Sequence, residues 1–257
     1  MVKKKTASKK TTGSSTAAPA PATPPKTVTA PVVPVVPAKP VKPSPKIWTG
    51  LELTPWLVAA GAAADTGAAG NVPVASQGTV SEGTAYVEID PRGKPYANSY
   101  FYKQLGANNA LDTYDYLLRM MIATADECAA AQAIELDIQQ CIGGVVYNTG
   151  LQFDFQANQI RVWSRHAKET GDPNPWKPTG QPCPRWLPEV WFNIDLKTHR
   201  TATAVVYDMI DLQPSTLTFP APKLGLPDMM NVAVQLDGNS AGAPFRVYLD
   251  EVNFTLS

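Results

Sequence analysis

The sequence predicts an all-β protein, a two-sheet antiparallel sandwich over residues 47–257 that follows a basic, proline-rich tail over residues 1–46. Three observations predict it. Apolar and polar residues alternate with a period of two along most of the chain after residue 47. Turn-forming clusters separate those runs at short intervals. Composition also breaks near residue 46. Nine of the 22 Lys and Arg, ten of the 25 Pro and none of the 22 Asp and Glu lie at or before it. The formal charge of zero therefore joins a cationic tail to an acidic body. With 44% hydrophobic and 17% charged residues, a wholly unfolded chain is excluded. No run of eighteen apolar residues is present to span a membrane as a helix.

The tail has no aromatic residue, and its apolar content is Ala and Val set between prolines. Such a segment cannot offset the roughly 1–2 kcal/mol of backbone entropy that each ordered residue costs. Lys3–Lys5 and Lys9–Lys10 read as flexible coil. Pro31, Pro34, Pro37, Pro40 and Pro43 recur every three residues, the period of a polyproline II rod, so this part reads as a spacer. The lysines also suit sequence-independent contact with a polyanion. The basic start is followed by Thr, Ser and Gly rather than an apolar stretch, so no conventional export signal is read there.

In the body, Tyr114, Tyr116, Leu118, Met120 and Ile122 share one strand face. The next sets are Ile134, Leu136 and Ile138, then Leu151, Phe153 and Phe155, then Ile160 and Val162. Phe192, Ile194 and Leu196 follow, then Val232, Val234 and Leu236, and a last strand over about residues 245–256. Asp90–Gly93, Gly143–Gly144, Ala157–Asn158, Gly171–Pro173 and Asp237–Asn239 are the turns between them. Residues 57–70, rich in Ala and Gly, read as a short helix or an irregular loop, and helix signals are otherwise nearly absent.

If the aliphatic sets face the core, their alternates face outward together. Those alternates are Glu135, Asp137 and Gln139, then Gln152, Asp154 and Gln156, then Arg161, Trp163 and Arg165, with Gln235 and Asp237 from a later strand. Carboxylates, amides, guanidiniums and an indole on one wall suit a carbohydrate. Hydroxyls need paired donors and acceptors, and the C–H face of a sugar lies on an aromatic ring. An ordinary solvated sheet face is the competing reading. Trp176, in a proline-rich loop, is the candidate for a further exposed stacking residue, whereas Trp191 reads as core packing and Trp186 is open to either role. His166 and His199 read as surface residues. Cys128, Cys141 and Cys183 have no CxxC spacing, so no zinc site is read; one bridge, Cys141 with Cys183, is left open.

The run Ala133–Gln140 (AIELDIQQ) resembles the central strand of the concanavalin A-like lectin/glucanase superfamily. Residues Asn231–Asn239 and Val247–Thr255 look like the closing strands of such jelly rolls, and also like those of many carbohydrate-binding modules. With Tyr100–Asn109, the body is similar to bacterial jelly-roll proteins of this type over roughly residues 75–257. The laminarinase-like branch carries Glu-x-Asp-x-(x)-Glu on that strand. The resemblance implies a nucleophile at Glu135, an assisting acid at Asp137, and an acid/base residue at 139 or 140. Both of the latter are Gln. An amide cannot donate or accept the proton that glycoside cleavage requires. The expectation is therefore a non-catalytic, lectin-like jelly roll that binds a glycan through Glu135, Asp137, Gln139, Asp154, Arg161, Trp163, Gln235 and Trp176. A glycoside hydrolase or lyase, and a structural protein whose tail binds a polyanion, are the alternatives. No cofactor is called for, except that the resemblance implies a structural Ca²⁺ at Asp250; an acid paired with Lys or Arg is the other reading of that residue. The resemblance also points to the cell exterior or surface.

Overall fold

Alternation is realised as strand. The computed structural model describes residues 43–61, 73–81, 83–107, 110–164 and 175–257, which form two antiparallel sheets in a jelly-roll sandwich with one short α-helix among them. The first sheet runs β13 (Gln213–Pro214), β12 (Ala204–Ile210), β11 (Phe192–Arg200), β6 (Thr113–Met121), β17 (Phe245–Leu256), β4 (Thr84–Asp90) and β3 (Val74–Ser81). β1 (Lys46–Trp48) adds to β17 and β14 (Thr218–Pro220) to β12. The second sheet runs β10 (Trp176–Pro178), β9 (Gln159–Trp163), β8 (Gly144–Asp154), β7 (Ala131–Ile142), β16 (Met229–Gly238), β5 (Asn98–Gln104) and β2 (Leu57–Gly61), with β15 (Lys223–Leu226) on β8. No helix among the described residues is long and apolar enough to cross a membrane.

The two inner faces carry the expected aliphatic sets. Leu136, Val234, Phe101 and Phe153 from the second sheet meet Tyr116, Leu196, Val247 and Phe254 from the first, all fully buried. Each such side chain contributes roughly 1.5–3 kcal/mol by leaving water. Trp186 closes one end of this core, stacked on Phe192 at 4.9 Å and packed against Phe153 and Phe155.

Several local expectations change. Residues 57–61 are strand, not helix or loop. A helix, α1 (Ala125–Ala130), precedes β7, started by a capping box in which Thr124 and Glu127 satisfy each other's backbone N–H. His199 lies in β11, partly buried, with Nδ1 2.8 Å from Asp208 Oδ2. Trp191 is only partly buried. It precedes β11 and lies under the guanidinium of Arg119, 5.2 Å from the ring centre, because the alternation that points Phe192 at Trp186 turns its neighbour away. Cys128, Cys141 and Cys183 form no disulfide. Cys183 shares a pocket with Phe155, just beyond β8. Cys141 lies seven residues along β7 from Ile134, the partner of Phe153. That is roughly 23 Å of strand, too far for a disulfide. The lysine clusters, the proline register through Pro40, Asn109, residues 62–70, Arg165, His166 and Gly171–Pro173 lie outside the described residues.

Candidate functional site

The outward face of the second sheet is built by register. Glu135 on β7 sits opposite Gln152 on β8 and Gln235 on β16. Gln152 is paired with Arg161 on β9, and Gln235 with Tyr100 on β5. One row therefore crosses five strands as Tyr100, Gln235, Glu135, Gln152 and Arg161, roughly 19 Å at the usual strand spacing. Asp237, Asn98 and Asp154 stand one step to one side of it. Asp137, Gly150 and Trp163 stand to the other, with Gln139 and Asn148 beyond. β10 places Trp176 opposite Trp163, and the two indoles meet edge to face at 5.1 Å.

This face is the floor of a cleft of about 850 Å³. Glu135, Asp137, Gln139, Asp154, Arg161, Trp163, Gln235 and Trp176 all line it, as does Gln152. Gln156, grouped with them by alternation, instead falls in the exposed turn after β8, and Arg165 lies outside the described residues. Tyr100 and Asp237 line it too, and were not among the candidate contacts. The signal for Tyr100 was present: it alternates with Ser99 and Phe101, both fully buried. Gln140 does not reach the cleft. It is fully buried on the core side and accepts a hydrogen bond from the Tyr114 hydroxyl. The pairing of β7 with β8 is unbroken from Ala133 to Ile142, so no bulge exchanges the faces, and Gln139 is the residue beside Asp137 in the cleft.

The polar groups are partly committed to one another. Arg161 Nη1 is 3.0 Å from Asp154 Oδ2, while Asp154 Oδ1 accepts from the Ala157 N–H at 2.8 Å. Gln152 Nε2 donates to Glu135 Oε1 at 2.5 Å, and Gln235 Nε2 to Asp237 Oδ1 at 3.0 Å. Among the described residues, other groups are buried without a partner: Oε1 of Gln132, Oδ1 of Asn148, Oε1 of Gln152, Nε of Arg161 and Nε1 of Trp163. Burial, and then the charges of Asp237 and Asp137, push the Glu135 carboxyl well above the usual range, against the bond from Gln152. Burial and then Asp237 push Asp137 up to about 7. The Tyr100 phenol is raised by burial and by Asp137. The wall can thus accept and donate hydrogen bonds, present an aromatic surface and hold protons near neutrality.

One support comes from the opposite sheet. Tyr207 of β12, fully buried, reaches across the core between β8 and β9. Its hydroxyl accepts from the Gly150 N–H at 3.0 Å and lies 2.9 Å from Trp163 O and 3.2 Å from Gly150 O. It satisfies backbone groups where the β8–β9 ladder ends at Leu151 and Val162. Tyr207→Phe leaves a buried N–H unpaired and is expected to cost about 1–2 kcal/mol in chemical denaturation. An unchanged midpoint and slope would show that the hydroxyl does not hold this seam.

Asp250 meets Arg119 instead of a visible ligand cluster. Its Oδ2 is 3.2 Å from Nη1, and Glu251 Oε1 is 3.6 Å from the same nitrogen. Among the described residues no group of three or more His, Cys, Asp or Glu is placed to hold a metal ion. This geometry matches the ion-paired reading of Asp250.

No protein-family model matches the chain, and no curated protein does. Among solved structures, the chain is similar to the CBM2 module of the Lactobacillus casei BL23 phage J-1 evolved Dit, at 13% identity and a TM-score of 0.46 over 84% of this chain and 97% of that one. It is also similar to lectin I from Ulex europaeus in complex with the methyl glycoside of α-L-fucose, at 7% identity and 0.48 over 82% and 97%. A third is the exoplasmic/lumenal domain of VIP36 in its Ca²⁺/Man3GlcNAc-bound form, at 12% identity and 0.40 over 72% and 81%. At such TM-scores these likenesses carry no argument about a ligand.

Proposed function

We propose that the cleft on the second sheet binds carbohydrate without cleaving it. One observation carries this reading: two indoles, Trp163 and Trp176, stand beside a polar row in which Gln152 Oε1 and Arg161 Nε are buried hydrogen-bonding atoms left unspent. A solvated sheet face spends such atoms on water. A wall that buries them and sets aromatic surface beside them matches the two-sided chemistry of a sugar, hydroxyls at the rim and C–H groups on the ring face. Gln139 stands where the hydrolytic pattern would need a proton donor, which favours holding over cleaving.

Glycan-array screening of the full chain is the test. Trp163→Ala is expected to weaken retention of any bound glycan at least tenfold, about 1.4 kcal/mol or more. Trp191→Ala, which alters the surface under Arg119, is expected to leave it unchanged. Failure of the native chain to retain any glycan, or indifference to Trp163→Ala, would sink the reading. The hydrolytic alternative keeps one observation in its favour. The Glu135 carboxyl is raised well above the usual range by burial and then by Asp237 and Asp137, the direction a general acid needs. Reducing-sugar release that Glu135→Gln abolishes would establish it in place of simple binding.

A further inference from the structure

Resting on that reading, we propose that the saccharide taken by this cleft carries a protonated amine, a non-acetylated hexosamine unit, seated on the cleft side of the Asp137 carboxylate and the Trp176 indole where they meet over Gly150. The argument begins with charge. Among the described residues the lining holds four carboxyls, Glu135, Asp137, Asp154 and Asp237, and the Arg161 guanidinium, which Asp154 engages at 3.0 Å. Burial raises the Glu135 and Asp137 carboxyls, so an ammonium is taken up with release of the Asp137 proton. The floor is therefore acidic, and a uronate or sulfated sugar would bring like charge against it.

Hydrogen-bonding capacity points the same way. Gln152 is only 7% exposed, its amide N–H is used by Glu135, and its Oε1 accepts from nothing. Asn148 Oδ1 and Gln132 Oε1, also in the lining, are buried acceptors in the same position. The floor is thus rich in unspent acceptors. An ammonium carries three donors and no acceptor, whereas an acetamido group replaces that charge with a carbonyl of its own.

Shape supplies the seat. The point where a Cβ on residue 150 would stand is 2.7 Å from Asp137 Oδ1, 2.9 Å from Trp176 Cη2 and 3.2 Å from Trp163 Cβ. With no Cβ at residue 150, a carboxylate oxygen and an indole edge converge above its Cα, and the ammonium is placed on the cleft side of that pair. Carboxylate charge beside aromatic surface is the chemistry that holds an ammonium.

The test is calorimetric titration of the full chain with β-1,4-linked oligomers of equal length: glucosamine, N-acetylglucosamine, glucose and a uronate. The glucosamine oligomer is expected to bind at least tenfold more tightly than either neutral oligomer, and the uronate not measurably. In Asp137→Asn the ratio between glucosamine and glucose oligomers is expected to fall below threefold. Neutral oligomers binding as tightly as the amine would overturn the amine preference while leaving carbohydrate binding standing. A preference that survives Asp137→Asn would overturn the placement. Equally tight binding of a linear polyamine would show that charge alone, with no sugar, is recognised. Absence of binding by all four oligomers, with a blank glycan array, would remove the carbohydrate reading itself.

Discussion

Asp137→Asn is expected to be more stable than the native chain at pH 8, by on the order of 2–4 kcal/mol, and to lose that advantage by pH 4. The Asp137 carboxyl is pushed up to about 7 in the folded protein, by burial first and then by the charge of Asp237, whereas its ordinary value is 3.8. As pH rises between those two values, the unfolded chain has released a proton that the folded chain still holds. Stability therefore falls across that window and stays lowered above it. Below pH 4 both states are protonated and the term vanishes. Asparagine keeps the shape and never ionises, so the variant carries no such penalty. Chemical denaturation of both proteins at pH 4 and pH 8 measures the difference. An equal difference at the two pH values would mean that the carboxyl is not desolvated by its neighbours. Glu135 is raised for the same reasons, and its contribution has the same sign.

Gly150→Ala tests the closeness of the cleft floor. The added methyl meets Asp137 Oδ1, Trp176 Cη2 and Trp163 Cβ at 2.7, 2.9 and 3.2 Å. Trp163 Cβ cannot retreat without moving backbone, whereas Asp137 Oδ1 and Trp176 Cη2 retreat only if their side chains rotate. Asp137 is on β7, flanked on both sides by β8 and β16. Trp163 is held by its pairing with β10 and by the Tyr207 hydroxyl at its carbonyl. Overpacking of this kind typically costs about 1–3 kcal/mol, and the upper part of that range is expected here. Because the methyl must displace the carboxylate and the indole, glycan retention is expected to fall at least tenfold in the same variant. Denaturation and array binding read the two effects separately. A variant that keeps native stability and native binding would show that the close approach is not required.

The site was legible to the extent that it depends on strand alternation. Glu135, Asp137 and Gln139, then Asp154, then Arg161 and Trp163, belong to consecutive strands joined by short turns. Their common face follows from the aliphatic residues between them. Trp176 was less secure, since nothing local says that a three-residue strand would pair it with Trp163. Tyr100 was missed for a non-local reason. Its strand enters the row only because β16, from more than a hundred residues further on, lies between β5 and β7. Trp191 was misread although the core set Phe192, Ile194 and Leu196 already places it, as the neighbour of Phe192, on the opposite face, where it meets Arg119. The capping residues Thr124 and Glu127 were readable, but a six-residue helix has too few apolar positions to show a period.

Periodicity in the amino-acid order was enough to divide the body into strands, assign the core face of each, and predict that acids, amides and an indole would share the other. A two-residue repeat leaves no other choice once one face must leave water. It could not say which amide spends its N–H on Glu135, which acid claims Arg161, or that Asp137 ionises near neutrality. Those depend on register between strands distant in the chain and on how deeply the packed sheets withdraw each group from solvent. Only the closed sandwich sets both.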